Sequence, residues 1–207
     1  MSFHNWGRCA PGILLLAVGL MGAAVPSDCI GCNISNTNLR NADLRNVKLT
    51  GSNLQGDDLR GADLRGAKLV GVNMTGARLD GARLDGAEFT GANLSGTDLH
   101  GVDLRGANFV GANFNGANLR GARFDGDDVV GANMTDARAD GASFRDARVC
   151  WRNEDSSIGC IRFEGASVRG AVFTGAKICS DGSGCSTVDA ATLRSHSHSS
   201  LDGAVLP

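Results

Sequence analysis

Residues 111–130, GANFNGANLRGARFDGDDVV, say one five-residue phrase four times: Gly, a small residue, a polar one, a large apolar one, then a variable one. Five matches neither the 3.6-residue period of a helix nor the two-residue period of a flat strand. Sampling every fifth residue from Ile34 to Val149 gives Leu, Phe, Ile, Met or Val at every step except Ala139. Two places before each stands mostly a small residue, as at Ala62, Ala67, Ala77 and Ala82; two places after stands mostly Gly, from Gly51 to Gly141. In an extended segment, residues two apart share a face, so the small and the large side chain of each phrase point inward together. The fifth residue breaks that alternation and has to turn the chain, and Gly suits a corner that needs positive φ. Each phrase is therefore one short side and one corner, and fixed-period self-similarity of this kind marks a solenoid.

The phrases ADLRN (42–46), ADLRG (62–66), GANLSG (91–96) and GANFNG (111–116) resemble the motif of the pentapeptide repeat family, A(D/N)LXX, over residues 32–149 without a slip. The resemblance implies an all-β chain, a right-handed quadrilateral parallel β-helix with four pentapeptides per 20-residue coil. Coils would stack at the interstrand spacing of ~4.8 Å. About seven coils and a short C-terminal cap are expected. After Val149 the column resumes as Ile158, Phe163, Val168, Phe173 and Ile178, which reads as four extra residues within CWRNEDSSI (150–158). In STVDAATLRSHSH (186–198), Ser186 and Asp189 have the spacing of a capping box and predict a short helix. The expected organisation is a secretory leader over 1–27, an uninterrupted β-helix over 28–149, a loop insertion at 150–160, a final coil at 161–180 and a cap or tail at 181–207.

The leader rests on Arg8 and the apolar run GILLLAVGLMGAAV (12–25), followed by Pro26 and Ser27, with cleavage expected after Ala24 or Ser27. The run is shorter than the ~20 residues of a comfortable membrane span, so no span is expected once it is removed. Cysteine usage agrees with export. Cys9 leaves with the leader, and Cys29, Cys32, Cys150, Cys160, Cys179 and Cys185 remain as three local pairs. Six cysteines allow 15 connectivities; adjacency favours Cys29–Cys32, Cys150–Cys160 and Cys179–Cys185, the second stapling the insertion. The compartment expected is the periplasm or the outside of the cell, with a thylakoid lumen also compatible.

Sorting outward residues by coil separates the faces. One carries Asp43/Arg45, Asp63/Arg65, Arg83/Asp85, Asp103/Arg105 and Arg123/Asp125, and the preceding one Asp58/Arg60, Arg78/Asp80 and Arg138/Asp140. Such pairs read as a solvated zwitterionic wall. The fourth face is uncharged: Asn33, Asn53, Asn73, Asn93, Asn113 and Asn133 precede the core residues, and Ser35, Gln55, Thr75, Ser95, Asn115 and Thr135 follow them. The neighbouring row is Thr50, Val70, Thr90, Val110 and Val130. Its two readings are an asparagine ladder supporting the stack and a binding face for a glycan or a protein partner. The sequons at Asn33, Asn73, Asn93 and Asn133 are by-products of the period.

No phosphate loop, nucleophile elbow or metalloprotease helix occurs, so no catalytic residue is expected. His196 and His198 near Cys179 and Cys185 read as a solvated tail, and neither a metal nor a cofactor is expected. Asp57 and Asp127 stand at inward positions on different faces and are expected to bond corner amides. A formal charge of −2, from 20 Lys+Arg and 22 Asp+Glu, gives no basic excess for nucleic acid. Some members of the family are dimers that resemble a DNA duplex and bind DNA gyrase, conferring fluoroquinolone resistance. The leader and the Asp/Arg pairing depart from that pattern, which stands as the alternative to an exported, non-catalytic binding or structural module. A homodimer stays open.

Overall fold

The computed structural model describes residues 29–180, 184–197 and 201–206; the leader expected at 1–27 and His198 lie outside them. Parallel bridges join residues twenty apart in four columns, represented by Asn33↔Asn53, Asn38↔Asp58, Asp43↔Asp63 and Lys48↔Lys68. Each coil therefore has four sides. Per side the stitching repeats: Leu54 N–H donates to the Asn73 carbonyl (2.7 Å), Gly56 N–H to that of Thr75 (2.9 Å), and Asn73 N–H returns to that of Ser52 (2.9 Å). The corner closes by a local bond, Ala62 N–H to the Leu59 carbonyl at 3.0 Å.

Positive φ at the corner is the local requirement behind the glycines. At Gly61 φ is +69°. In the first coil Asn36, Asn41 and Asn46 take the same conformation at 55–58°, which short amide side chains tolerate better than most. Their carboxamides reach over the next coil, so a Cβ at Gly56, Gly61 or Gly66 would collide with them. A side chain at these corners would have to displace the carboxamide below, in addition to bearing the positive φ.

The side chains inside form one continuous core in which the columns from Leu39 to Val149 are at most 2% exposed, Ala139 included. Full burial of each Leu or Phe contributes roughly 1.5–3 kcal/mol. Rings stack along the axis: Phe89 on Phe109 at 5.0 Å, Phe124 on Phe144 at 4.8 Å and Phe144 on Phe173 at 4.9 Å, within 12° of parallel.

The last of these stacks shows where the register changes. Phe144 lies 29 residues before Phe173, and the bridges Asn133↔Arg162, Arg138↔Ser167 and Ser143↔Val172 have the same separation. The insertion is therefore nine residues and not four. Ile158 leaves the core column; it lies half-buried in a hairpin, and Phe163 takes the next core place with Ile161 at the small inward position. The hairpin pairs β1 (Arg148–Arg152) antiparallel with β2 (Ile158–Cys160). A second hairpin, β3 (Lys177–Ser180) with β4 (Gly184–Thr187), docks parallel on β1, giving the order β2-β1-β3-β4. Disulfides join Cys150 to Cys160 and Cys179 to Cys185 across the two hairpins, and Cys29 to Cys32 at the first corner.

Helix α1 (Ala190–His196) follows, with Asp189 itself as N-cap accepting from Thr192 N–H at 2.7 Å. Ser186, expected to open a capping box, belongs to β4 instead, because strand pairing with Ile178 claims it. Val188, Leu193 and Leu201 are buried against the last coil. Backbone bonds tie the coil to this segment: Phe163 N–H to Ser197, Gly170 N–H to Gly203 and Phe173 N–H to Val205, at 2.7–2.9 Å. No helix among the described residues is long and apolar enough to cross a membrane.

Candidate functional site

The uncharged face wraps one corner of the solenoid. Six successive coils contribute residues 30–35, 50–55, 70–75, 90–95, 110–115 and 130–135, and none of these carries a charge. At the corner itself stands Ile30, Thr50, Val70, Thr90, Val110 and Val130, β-branched throughout. The five from Thr50 to Val130 are half-buried, and Ile30 is 70% exposed. Ile30 escaped the sequence reading, which began the row at Thr50; stepping back one twenty-residue coil would have found it. β1 rises from the corner's upper end, with Trp151 half-buried on it.

The asparagines meet on the adjoining side. Asn53 Nδ2 donates to Asn33 Oδ1 (3.1 Å) and Asn73 Nδ2 to Asn53 Oδ1 (3.0 Å). Further up, Asn113 Nδ2 donates to Asn93 Oδ1 (3.5 Å) and Ser95 Oγ (2.9 Å), and Asn133 Nδ2 to Asn113 Oδ1 (3.3 Å). Between Asn73 and Asn93 the Thr75 hydroxyl takes the Asn73 oxygen at 2.7 Å, alongside the Thr75 amide at 3.2 Å. Ser95 and Thr135 do the same to Asn93 and Asn133, each at 2.6 Å. The carboxamide oxygens are thus used internally, so the face offers amide N–H groups, hydroxyls and methyls.

The opposite walls are a contrast in charge. Arg45 meets Asp43, Arg65 meets Asp63 and Arg105 meets Asp103, each at 2.6 Å, within one side of a coil. Lys68 and Glu88, on the side that runs into the uncharged corner, pair between coils at 2.9 Å. The Arg45 hydrogen bond lowers the Asp43 carboxyl to about 2. Exposed pairs of this kind add little stability, and they leave the wall electrically balanced.

Asp57 and Asp127 are buried and far apart, each bonding a corner amide of the coil below. Asp57 Oδ1 accepts from Thr37 N–H at 2.8 Å, and Asp127 Oδ1 from Gly106 N–H at 2.7 Å. Their Oδ2 atoms have no partner among the described residues. Burial raises the carboxyls to about 7 and about 8. The Asp127 bond also turns the Arg105–Gly106 peptide: Gly86 N–H donates to the Gly106 carbonyl (2.9 Å), where neighbouring corners use the residue before the corner glycine. No sequence pattern announces that flip.

A cleft of about 290 Å³ lies on the hairpin sheet, lined by Arg152, Ile178, Ser180, Gly184 and Ser186 together with Cys179 and Cys185. Among the described residues no three His, Cys, Asp or Glu are grouped to hold a metal.

Two family models, both described as pentapeptide repeats, match residues 27–66, 58–96, 87–126 and 109–149, more than half of the chain. No curated protein matches. Among solved structures, full-length QnrB1, a plasmid-mediated fluoroquinolone resistance protein, is 19% identical with a TM-score of 0.51, covering 68% of this chain and 74% of its own. Its trypsin-treated form is 21% identical at 0.56 over 68% and 74%. HetL, a pentapeptide repeat protein involved in heterocyst differentiation regulation from the cyanobacterium Nostoc sp. strain PCC 7120, is 26% identical over 71% and 74%, with a TM-score of 0.31. A pentapeptide repeat protein of the Arabidopsis thaliana thylakoid lumen is 28% identical over 51% and 66%, with a TM-score of 0.24. At these identities the QnrB1 structures speak for the fold, and no enzyme family is indicated.

Proposed function

Because the chain belongs to the pentapeptide repeat family, we propose that it is an exported, non-catalytic module that presents its uncharged corner to a partner. In this reading the leader over 1–27 is removed and 28–149 forms the β-helix. The insertion at 150–160 precedes a final coil at 161–180, about seven coils in all, with 181–207 as the cap. The module works in the periplasm or outside the cell, or in a comparable lumen, where its three disulfides persist.

The observation that carries the reading is the corner. Six coils in succession exclude charge there, while the charged walls keep Asp beside Arg. A solvated wall needs no such exclusion; a surface that loses water on binding does. The paired walls also speak against mimicry of a DNA duplex, which requires rows of unbalanced negative charge.

Cell fractionation followed by cross-linking and pull-down from the exported fraction tests both halves. The expected result is recovery outside the cytoplasm with the leader gone, and partner capture that Val110→Lys abolishes. Recovery from the cytosol with the leader intact, or capture indifferent to Val110→Lys, would overturn it.

A further inference from the structure

We propose that the Cys179–Cys185 disulfide is a thiol-exchange site that clips the cap in place, with dithiols as its substrates, while Cys29–Cys32 and Cys150–Cys160 are structural. The inference is independent of the uncharged corner. It rests on how differently the three disulfides are placed.

A thiolate breaks a disulfide by approaching one sulfur in line with the bond, opposite the sulfur that leaves. An accessible cysteine and a clear path are both required. Of the six described cysteines, five are at most 6% exposed. Cys185 is the exception: it stands on β4, whose four residues are all exposed. β4 is also an edge strand, last in the order β2-β1-β3-β4. Cys185 pairs directly with Cys179 on β3, so the line from Cys179 through Cys185 leaves the sheet across an edge that has no further strand. The other edge is closed. Cys150 and Cys160 face each other across β1 and β2 in the same way, yet α1 packs against β2 and Cys160 is buried. Cys29 and Cys32 are buried as well. Exposed disulfides are the exchangeable ones, and only Cys179–Cys185 has an exposed member.

The exchange balances with a dithiol as reductant. Its first thiolate bonds to Cys185 Sγ, the Sγ–Sγ bond breaks, and Cys179 departs as a thiolate that takes a proton from water. The second thiolate of the dithiol then attacks the reductant's own sulfur in the mixed disulfide and expels Cys185, which is protonated in turn. The protein gains two electrons and two protons, and the reductant becomes a disulfide. The structural consequence is local. Reduction leaves β4 held by strand pairing alone, from Lys177 with Thr187 to Ser180 with Gly184, and a short edge strand without a cross-link opens readily. β4 leads into α1, which buries Leu193, with Val188 buried just before it. The coils keep their own backbone bonds. Trp151 pairs with Cys179 on the side away from Cys185, so indole and disulfide share one face of the sheet. It is the one tryptophan outside residues 1–27.

Timed reduction of the oxidised protein with dithiothreitol, followed by acid quenching, alkylation and peptide mass mapping, tests this without any variant. Cys179 and Cys185 are expected to be labelled roughly tenfold faster, or more, than Cys29, Cys32, Cys150 and Cys160. Trp151 emission should rise in the same phase, as the disulfide that quenches it opens. Hydrogen exchange of the Gly184–Thr187 amides should then quicken about threefold or more, with the amides from Leu54 to Met134 unchanged. Cys179→Ser together with Cys185→Ser should show the same exchange pattern without reductant. A Cys-x-x-Cys protein dithiol is run beside dithiothreitol: a faster rate per mole assigns the exchange to a protein reductant, a slower one to a small dithiol. Labelling in which Cys150 and Cys160 keep pace with Cys179 and Cys185, or precede them, overturns the exchange site. Selective labelling with β4 exchange unchanged, or with loss of the β circular dichroism, overturns the clip.

Discussion

Asp127 occupies an inward position that the repeat usually gives to alanine, and there it sets a pH dependence. Its folded carboxyl lies at about 8 against 3.8 in the unfolded chain, because burial disfavours the charged form. The folded state therefore binds the extra proton between these values, and stability falls as pH rises from about 4 through about 8. Asp57, at about 7, adds to the same trend. Asp127→Asn keeps an acceptor for Gly106 N–H without a charge to bury. It should raise the melting temperature by several degrees at pH 9 and leave it nearly unchanged at pH 4, in paired thermal melts. A second residue-scale effect sits at the corners. Gly61→Ala combines φ +69° with a collision against the Asn41 amide, whereas Gly51→Ala at +66° meets nothing within 4 Å. Both should destabilise by about 1–3 kcal/mol through the positive φ, Gly61→Ala by slightly more because it displaces the Asn41 carboxamide, and Asn41→Gly should erase that difference in chemical denaturation.

The hairpin between Val149 and Phe163 is an appendage to the solenoid, since the columns resume unchanged above it. Replacing residues 150–160 by Arg-Gly would restore a five-residue step from Val149 to Phe163 with glycine at the corner. That variant should keep its β circular dichroism and a single cooperative melt; a molten or aggregated product would mean that β1 and β2 are part of the folding core. The same segment marks what the residues could disclose in advance. The apolar column was legible because its period is local, five residues at a time. The size of the insertion was not, because Ile158 and Phe163 are themselves five apart and hold the phase while lying in different structures. Only closure over a complete coil, seen when Phe144 stacks on Phe173, counts the extra residues. Asp189 and Ser186 are both competent caps, and their roles were decided by pairing with β3, a contact through space. Of the candidate site, the Asn and Thr/Val rows were readable by position in the coil. The interruption between Asn73 and Asn93 was not, since it is a matter of side-chain rotamers: Ser95 bonds Asn93 as Thr75 bonds Asn73, yet the ladder continues from Asn93 to Asn113.

At the scale of the whole molecule, each coil is bonded to the next by the same set of backbone contacts, so stability is close to a sum of neighbour terms. Duplicating residues 90–109 adds one coil and keeps every column in line. Duplicating 90–104 keeps the apolar column but shifts all later residues by one side, so Asn113 and Asn133 leave the row that begins at Asn33. Both products should fold with β circular dichroism. Only the first should keep Asn113 and Asn133 bonded within the column that begins at Asn33, checked by amide hydrogen exchange of their side chains. Evolution faces the same arithmetic: this scaffold can be extended smoothly only in quanta of a full circuit, and every smaller edit twists the pattern painted on its outside. Length and surface design are therefore inherited together, like the pitch and thread of a screw.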